Sequence, residues 1–494
     1  MSSEQTTTAT SNESSTAPNE APKSPPLVET PPVQTQHELK LGKRAIRYDV
    51  TASLMPLKNA AGEIEAQIFF TAYTLKPSPK PEARPLTFVF NGGPGSASIW
   101  LHLGALGPKR VKMQDEGWMP APPYKLVDNP DTWLDQTDLV FIDPVGTGYS
   151  RAAKPDLSKK YWTVKGDIES VGEFIHLYLS RYERWTSPLF LCGESYGTTR
   201  SAGVAGYLID KGIAFNGIVL ISTILNFQTA EFERGNDLPY ALFLPTYTAT
   251  AWYHGKLPPL LQKKPLAAVL EEVENWAETE YSLALMKGNR LSTNERQSVI
   301  SKLAHYTGLD VEFVDNSNLR IHIMRFCKEL LRDKKKTVGR LDSRFIGVDA
   351  QAVTEMPDFD PSYLAILPPY TAMLNHYVRS ALKYESDVEY HALSMDVNAA
   401  WEWERGKYPD TSEALRSALA KNPFMKVFVG RGYYDLATPH FAAQYTLTHM
   451  DIDPSVETNI ETADYEAGHM FYLDVKALAK LKGDVQRFMK KAGA

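Results

Sequence analysis

Three residues in this chain are spaced so that a hydroxyl could be made nucleophilic. Ser195 lies in Gly193-Glu194-Ser195-Tyr196-Gly197, directly after the apolar run Leu189-Phe-Leu-Cys192 and before the helix-compatible Thr198-Thr-Arg-Ser-Ala-Gly203. A G-x-S-x-G segment between a strand and a helix is a nucleophile elbow, in which the serine takes strained backbone angles and the flanking glycines let the neighbouring chain approach closely. A serine hydroxyl is a poor nucleophile near neutral pH, so it needs an imidazole to take its proton and an acid to orient that imidazole. Asp435 closes Gly430-Arg-Gly-Tyr-Tyr-Asp435 after the apolar Lys426-Val-Phe-Val429, and His469 closes Glu466-Ala-Gly-His469 after the last expected strand. Ser195, Asp435 and His469 therefore form the candidate triad, and its chemistry would be acyl transfer through an acyl-enzyme.

Other polar residues compete for these roles. Asp464 is a second candidate acid, but it stands on the same strand end as His469 and is expected to point elsewhere. His440 and His449 fall on the helix expected after Asp435, where surface positions are the default. A tetrahedral oxyanion also needs donors aimed at it. The Tyr196 N–H is one, and the glycine-rich Asn91-Gly-Gly-Pro-Gly95, after the strand Leu86-Thr-Phe-Val-Phe90, is placed to supply the other. No G-x-x-x-x-G-K-[ST] phosphate loop occurs.

The elements that must position these residues alternate in type. Two extended segments between Leu39 and Leu75, joined across Asn59-Ala-Ala-Gly62, read as an antiparallel hairpin with Ile64, Ala66, Ile68 and Phe70 on one face. Leu86–Phe90, Leu139–Ile142, the run before the elbow and Phe215–Ser222 are continuous apolar strands, as in a mostly parallel sheet buried on both faces. Ile168, Val171, Ile175, Tyr178 and Tyr182 recur at helical spacing, as a crossover helix requires. From about residue 226 to 423 the strand–helix alternation stops in favour of helical segments and proline- and tyrosine-rich loops, an insertion too long for one crossover. The expectation is an α/β-hydrolase fold with a core at 38–225 and 424–494, a mainly helical cap at 226–423, and a disordered Ser/Thr/Pro-rich tail at 1–37.

Composition narrows the class. The 494 residues, 43% hydrophobic, can bury a large core, and a net charge of −6 offers no field for a polyanion, so nucleic-acid binding has no support. The two cysteines, Cys192 and Cys327, provide no disulfide framework. Neither a secretory signal nor a run of about 20 apolar residues is evident, so a soluble, cytoplasmic protein that does not bind membranes is the default expectation.

On Asn91-Gly-Gly-Pro-Gly95, Asp143-Pro-Val-Gly-Thr-Gly-Tyr149, Gly193-Glu-Ser-Tyr-Gly197, the Asp435 segment and Gly468-His-Met470, in that order, the chain resembles the serine carboxypeptidase family from about Arg44 to its C-terminus. The resemblance implies release of C-terminal amino acids from peptides with a free C-terminus, with Ser195, Asp435 and His469 as triad and the N–H groups of Gly93 and Tyr196 as oxyanion hole. It also implies that Asn91 and Glu194, assisted by the Gly92 N–H, bind the substrate's terminal carboxylate without metal or organic cofactor. Two facing carboxylates repel, so Glu194 could do this only while the pair keeps a proton. An esterase or acyltransferase on the same triad is the alternative. The chain departs from the eukaryotic pattern in three places and looks more like bacterial members. Ser96 replaces a cysteine, Gly197 stands where alanine is common, and Gly-His-Met continues as Phe471-Tyr472 without the usual proline.

Overall fold

The structure is a computed structural model that describes residues 27–77, 80 and 83–493. Its centre is a ten-stranded sheet. In chain order the strands are β1 (Val33–Leu41), β2 (Arg44–Lys58), β3 (Ile64–Lys76), β4 (Leu86–Phe90), β5 (Asp138–Ile142), β6 (Arg151–Ala152), β7 (Leu189–Ser195), β8 (Gly217–Thr223), β9 (Lys426–Gly432) and β10 (Ile460–Tyr465). They lie in the order β1-β2-β3-β5-β4-β7-β8-β9-β10, with β6 pairing on β3. From β5 to β10 all neighbours are parallel, while β1, β2 and β3 form an antiparallel meander that joins the sheet through β3 against β5.

The mostly parallel α/β architecture follows from the apolar strands: β4 and β5 are buried at every position. Strand β3 is buried on both faces as well. Ala66, Ile68 and Phe70 join one apolar layer and Phe69 and Tyr73 the other. One layer contains the helix Val164–Arg181, whose Thr163 caps the first turn through the Gly166 N–H, and the elbow helix Tyr196–Ile209. The other contains the C-terminal helix Val475–Lys491.

Two boundaries differ from expectation. The tail assigned to 1–37 ends sooner, because Val33–His37 belongs to β1 and pairs with β2; residues 1–26 lie outside the described residues. As an edge strand, β1 needs little apolar content, so its Gln- and Thr-rich composition resembles unstructured chain. The cap is also narrower than 226–423. A separate apolar cluster is built from Ala241 to Val338 together with Tyr434, Leu436, Phe441 and Ala442. The helix Pro361–Ser380 instead packs Ile366, Tyr370, Leu374 and Tyr377 into one core layer, and Ser412–Lys421 packs Leu415 and Leu419 into the other.

Candidate active site

Ser195 ends β7 and precedes the first residue of the elbow helix with φ 59° and ψ −131°. That left-handed backbone is sustained by the glycines around it. A Cβ on Gly193 would come within 2.2 Å of the Gly197 carbonyl oxygen, and one on Gly197 within 2.9 Å of the Phe90 and Asn91 carbonyl oxygens. The Asn91–Gly95 loop leaves the neighbouring strand β4 and presses on the elbow so closely that a Cβ on Gly92 would reach the Tyr196 nitrogen at 2.4 Å. As first residue of its helix, Tyr196 has an N–H with no intrahelical acceptor. Gly93, at φ 101°, carries the loop's turn, so tight that a Cβ there would come within 2.7 Å of the Gly95 nitrogen.

The acid and the imidazole come from the ends of the next parallel strands. Asp435 is fully buried after β9; its Oδ1 accepts the N–H groups of Ala437 (2.7 Å) and Thr438 (3.0 Å), and its Oδ2 accepts the Thr438 hydroxyl (2.7 Å). His469 Nδ1 meets Asp435 Oδ2 at 2.7 Å. Facing a carboxylate, Nδ1 carries the proton, which leaves Nε2 of the neutral ring with a lone pair able to accept one. The ring's loop is fixed from three sides. Leu341 C=O accepts the His469 N–H (2.6 Å), Asp342 Oδ2 accepts the Gly468 N–H (3.1 Å), and the Ser222 hydroxyl donates to His469 C=O (2.5 Å). Burial disfavours a charged His469, but the Asp435 carboxylate outweighs it and lifts the ring's pKa above the ordinary imidazole value. Asp464 faces away, gripped by Arg431 at 2.7 and 3.0 Å.

Beside Ser195, Glu194 is 3% exposed. Burial pushes its pKa up to about 7, against the opposing pull of His469 and of the Tyr472 hydroxyl, which donates to Oε2 at 2.5 Å. Asn91 also lies against this carboxyl and lowers its pKa slightly. The Asn91 amide is oriented by the Leu101 N–H, which donates to its Oδ1 (3.1 Å), leaving the buried Nδ2 without a properly formed hydrogen bond. A carboxyl that holds a proton near neutrality and an unpaired amide donor thus sit together on the wall of a cavity of about 480 Å³. The same cavity is lined by Gly92, Gly93, Ser195, Tyr196 and His469, and the remaining wall includes Trp100, Phe227, Phe232, Phe243, Tyr363 and Ile366. All the sequence-selected site residues except buried Asp435 therefore face one space, and Asp435 reaches it through His469.

Several residues of the site were not foreseen. Thr438, three positions after Asp435, completes the acid's hydrogen bonding; the D-x-x-T spacing carries that signal. Arg200, 1% exposed, donates to Asp167 Oδ2 (2.8 Å) and to the Asn91 carbonyl (2.5 Å), and lies over the rings of Phe90 and Tyr196. It braces the elbow and the glycine loop together, which no local pattern announces. Asp143 serves the same loop, accepting the Ser98 N–H (2.9 Å) and hydroxyl (2.8 Å). Tyr472 is the residue at which the sequence departs from proline, and its hydroxyl is what Glu194 meets. His440 is 2% exposed and pairs with Glu274 at 2.9 Å, so its expected surface position is corrected: the cap covers the first turn of its helix. Among the described residues no cluster of three or more His, Cys, Asp or Glu is placed to hold a metal ion, and no helix is long and apolar enough to cross a membrane.

Comparison with known proteins places this arrangement. A segment of 137 residues is 31% identical to serine carboxypeptidase-like 7 of Arabidopsis thaliana, covering 27% of this chain and 30% of that protein. Another of 142 residues is 33% identical to the pheromone-processing carboxypeptidase KEX1 of Saccharomyces cerevisiae, covering 27% and 18% respectively. These alignments thus span under a third of either relative. The crystal structure of the Saccharomyces cerevisiae prohormone-processing carboxypeptidase KEX1(delta)p superposes over 90% of this chain and 91% of its own, with a TM-score of 0.55 at 18% identity, a likeness of fold. The family profile described as serine carboxypeptidase matches residues 58–488, from the end of β2 into the last turns of the C-terminal helix. A match of that extent, over a chain whose elbow, acid, imidazole and glycine loop occupy adjacent strand ends, makes this protein a member of the serine carboxypeptidase family.

Proposed function

We propose that the protein is a serine-type carboxypeptidase that releases single amino acids from the free C-terminus of peptides. The observation that carries this reading is Glu194, a buried carboxyl with its pKa near 7, adjoining Ser195 and lying against Asn91, whose Nδ2 makes no well-formed hydrogen bond. A protonated Glu194 can donate to a substrate carboxylate, whereas an ionised one repels it. Asn91 Nδ2 and the Gly92 N–H supply further donors at the same wall.

In this reading Ser195 Oγ attacks the last peptide carbonyl carbon while its proton passes to His469 Nε2, and Asp435 stabilises the imidazolium that forms. The oxyanion is received by the N–H groups of Gly93 and Tyr196. As the C–N bond breaks, the proton on Nε2 goes to the departing amine, and the free amino acid leaves. Water then attacks the acyl ester and gives its proton to His469, which returns it to Ser195 Oγ as the shortened peptide is released.

An esterase or acyltransferase would use the same triad without needing the carboxyl reader. The discriminating test is Glu194→Gln, assayed on matched peptides with free and amidated C-termini. An amide donates at every pH, so the fall in preference for the free acid through pH 7 should flatten in the variant. An unaltered pH dependence would show that Glu194 does not read the C-terminus.

A further inference from the structure

Glu194 and Ser195 are adjacent on the elbow, and Tyr472 and His469, the residues they face, are three residues apart on the turn that follows β10. Ser195 faces the cavity with His469, and Glu194 receives the Tyr472 hydroxyl. Tyr472 is fully buried in the short turn Phe471–Leu473, and its ring rests against Gly104, where a Cβ would come within 2.8 Å of the ring and 2.6 Å of the Tyr370 hydroxyl. The hydroxyl is therefore held by packing and has little freedom to choose another partner.

Resting on the carboxypeptidase reading, we propose that Tyr472 is a positioning residue for C-terminus recognition: its hydroxyl occupies Glu194 Oε2, so that the proton Glu194 shares with a substrate carboxylate is carried on Oε1. A carboxylic acid with both oxygens unclaimed could present its proton in either of two directions. A phenol donating to Oε2 makes that oxygen the acceptor and leaves one productive arrangement. The same bond favours ionised Glu194 and so limits how far burial can raise its pKa. The groups facing Glu194 are Tyr472 and His469 from the turn after β10, Asp435 from the loop after β9, Asn91 from the glycine loop, Tyr370 from the helix Pro361–Ser380 and Cys192 from its own strand. Of these, only Tyr472 is seen donating a well-formed hydrogen bond to the carboxyl.

The test compares full-length wild type, Tyr472→Phe and protein carrying 3-fluorotyrosine at position 472. The readout is the ratio of kcat/KM for a peptide with a free C-terminus to that for its amide, followed from pH 5 to 9. For wild type the ratio should fall with a midpoint near 7. Loss of one hydrogen bond to a charged group should move the Tyr472→Phe midpoint up by about one pH unit. The ratio at pH 5 should also drop severalfold as the acid loses its fixed orientation. The more acidic fluorophenol donates more strongly and should move the midpoint down; it also keeps the test alive if removing the hydroxyl impairs folding. Midpoints that stay put in both proteins, or equal losses on acid and amide, would reduce Tyr472 to packing and overturn the inference alone. A wild-type ratio near one at every pH would overturn the carboxypeptidase reading, and this inference with it.

Discussion

In the proposed reaction, the neighbours Glu194 and Ser195 have opposite needs: one must keep a proton that the other must lose. The structure separates them by partner, giving Ser195 a cavity shared with an Asp435-bound imidazole and Glu194 a buried site beside Tyr472. A buried carboxyl with a raised pKa has a stability consequence. Between the unfolded value of 4.5 and the folded value of about 7, the folded state binds the proton more tightly, so Glu194's contribution falls as pH rises through that window. The stability of Glu194→Gln relative to wild type should therefore rise with pH from 4.5 to 7, by on the order of 3 kcal/mol in all, read by urea denaturation at pH 5 and 8. A gain independent of pH would contradict the raised pKa. The triad candidates were legible because strand ends and glycines flag them in chain order. Tyr472 and Arg200 were not, since their partners lie 278 and 33 residues away in sequence.

At the scale of elements, the site is a product of strand order. The glycine loop, the elbow, Asp435 and His469 follow β4, β7, β9 and β10, so the parallel sheet delivers four separate segments to one edge, where ligands of open α/β sheets bind. Beneath that edge the Arg200–Asp167 pair ties the elbow helix to the helix Val164–Arg181 and, through the Asn91 carbonyl, to the glycine loop. Both side chains are almost wholly buried. Arg200→Ala leaves Asp167 as an uncompensated buried charge and should cost about 3–5 kcal/mol in chemical denaturation, with Arg200→Ala/Asp167→Asn recovering part of it. Equal destabilisation by the single and double variants would place the effect in lost packing. The strands could be read from sequence because burial on both faces makes them continuous apolar runs. The helix Pro361–Ser380 could not be assigned to the core, because Pro368 and Pro369 inside it are breaking signals that tertiary packing overrides.

For the whole molecule, the consequence of this layout is a cavity between the sheet edge and a helical insertion with its own apolar cluster. The core supplies Ser195, His469, Glu194 and the donors, whereas Phe232, Phe243 and Ile323 come from the region before residue 338 that closes the other side. The expected cap at 226–423 took every helical segment in that span together, since a helical run does not say which layer it packs on. In the proposed reading, Ser195 beside a proton-holding Glu194 makes an enzyme that cuts where a chain ends. The most direct measurement is mass-spectrometric digestion of a defined peptide pool from pH 5 to 9, with every peptide also supplied as its C-terminal amide. Ladders shortened one residue at a time from free C-termini, fading above pH 7 and sparing the amides at low pH, are the expected result. Internal cuts, N-terminal trimming, or equal cleavage of acids and amides throughout would contradict it.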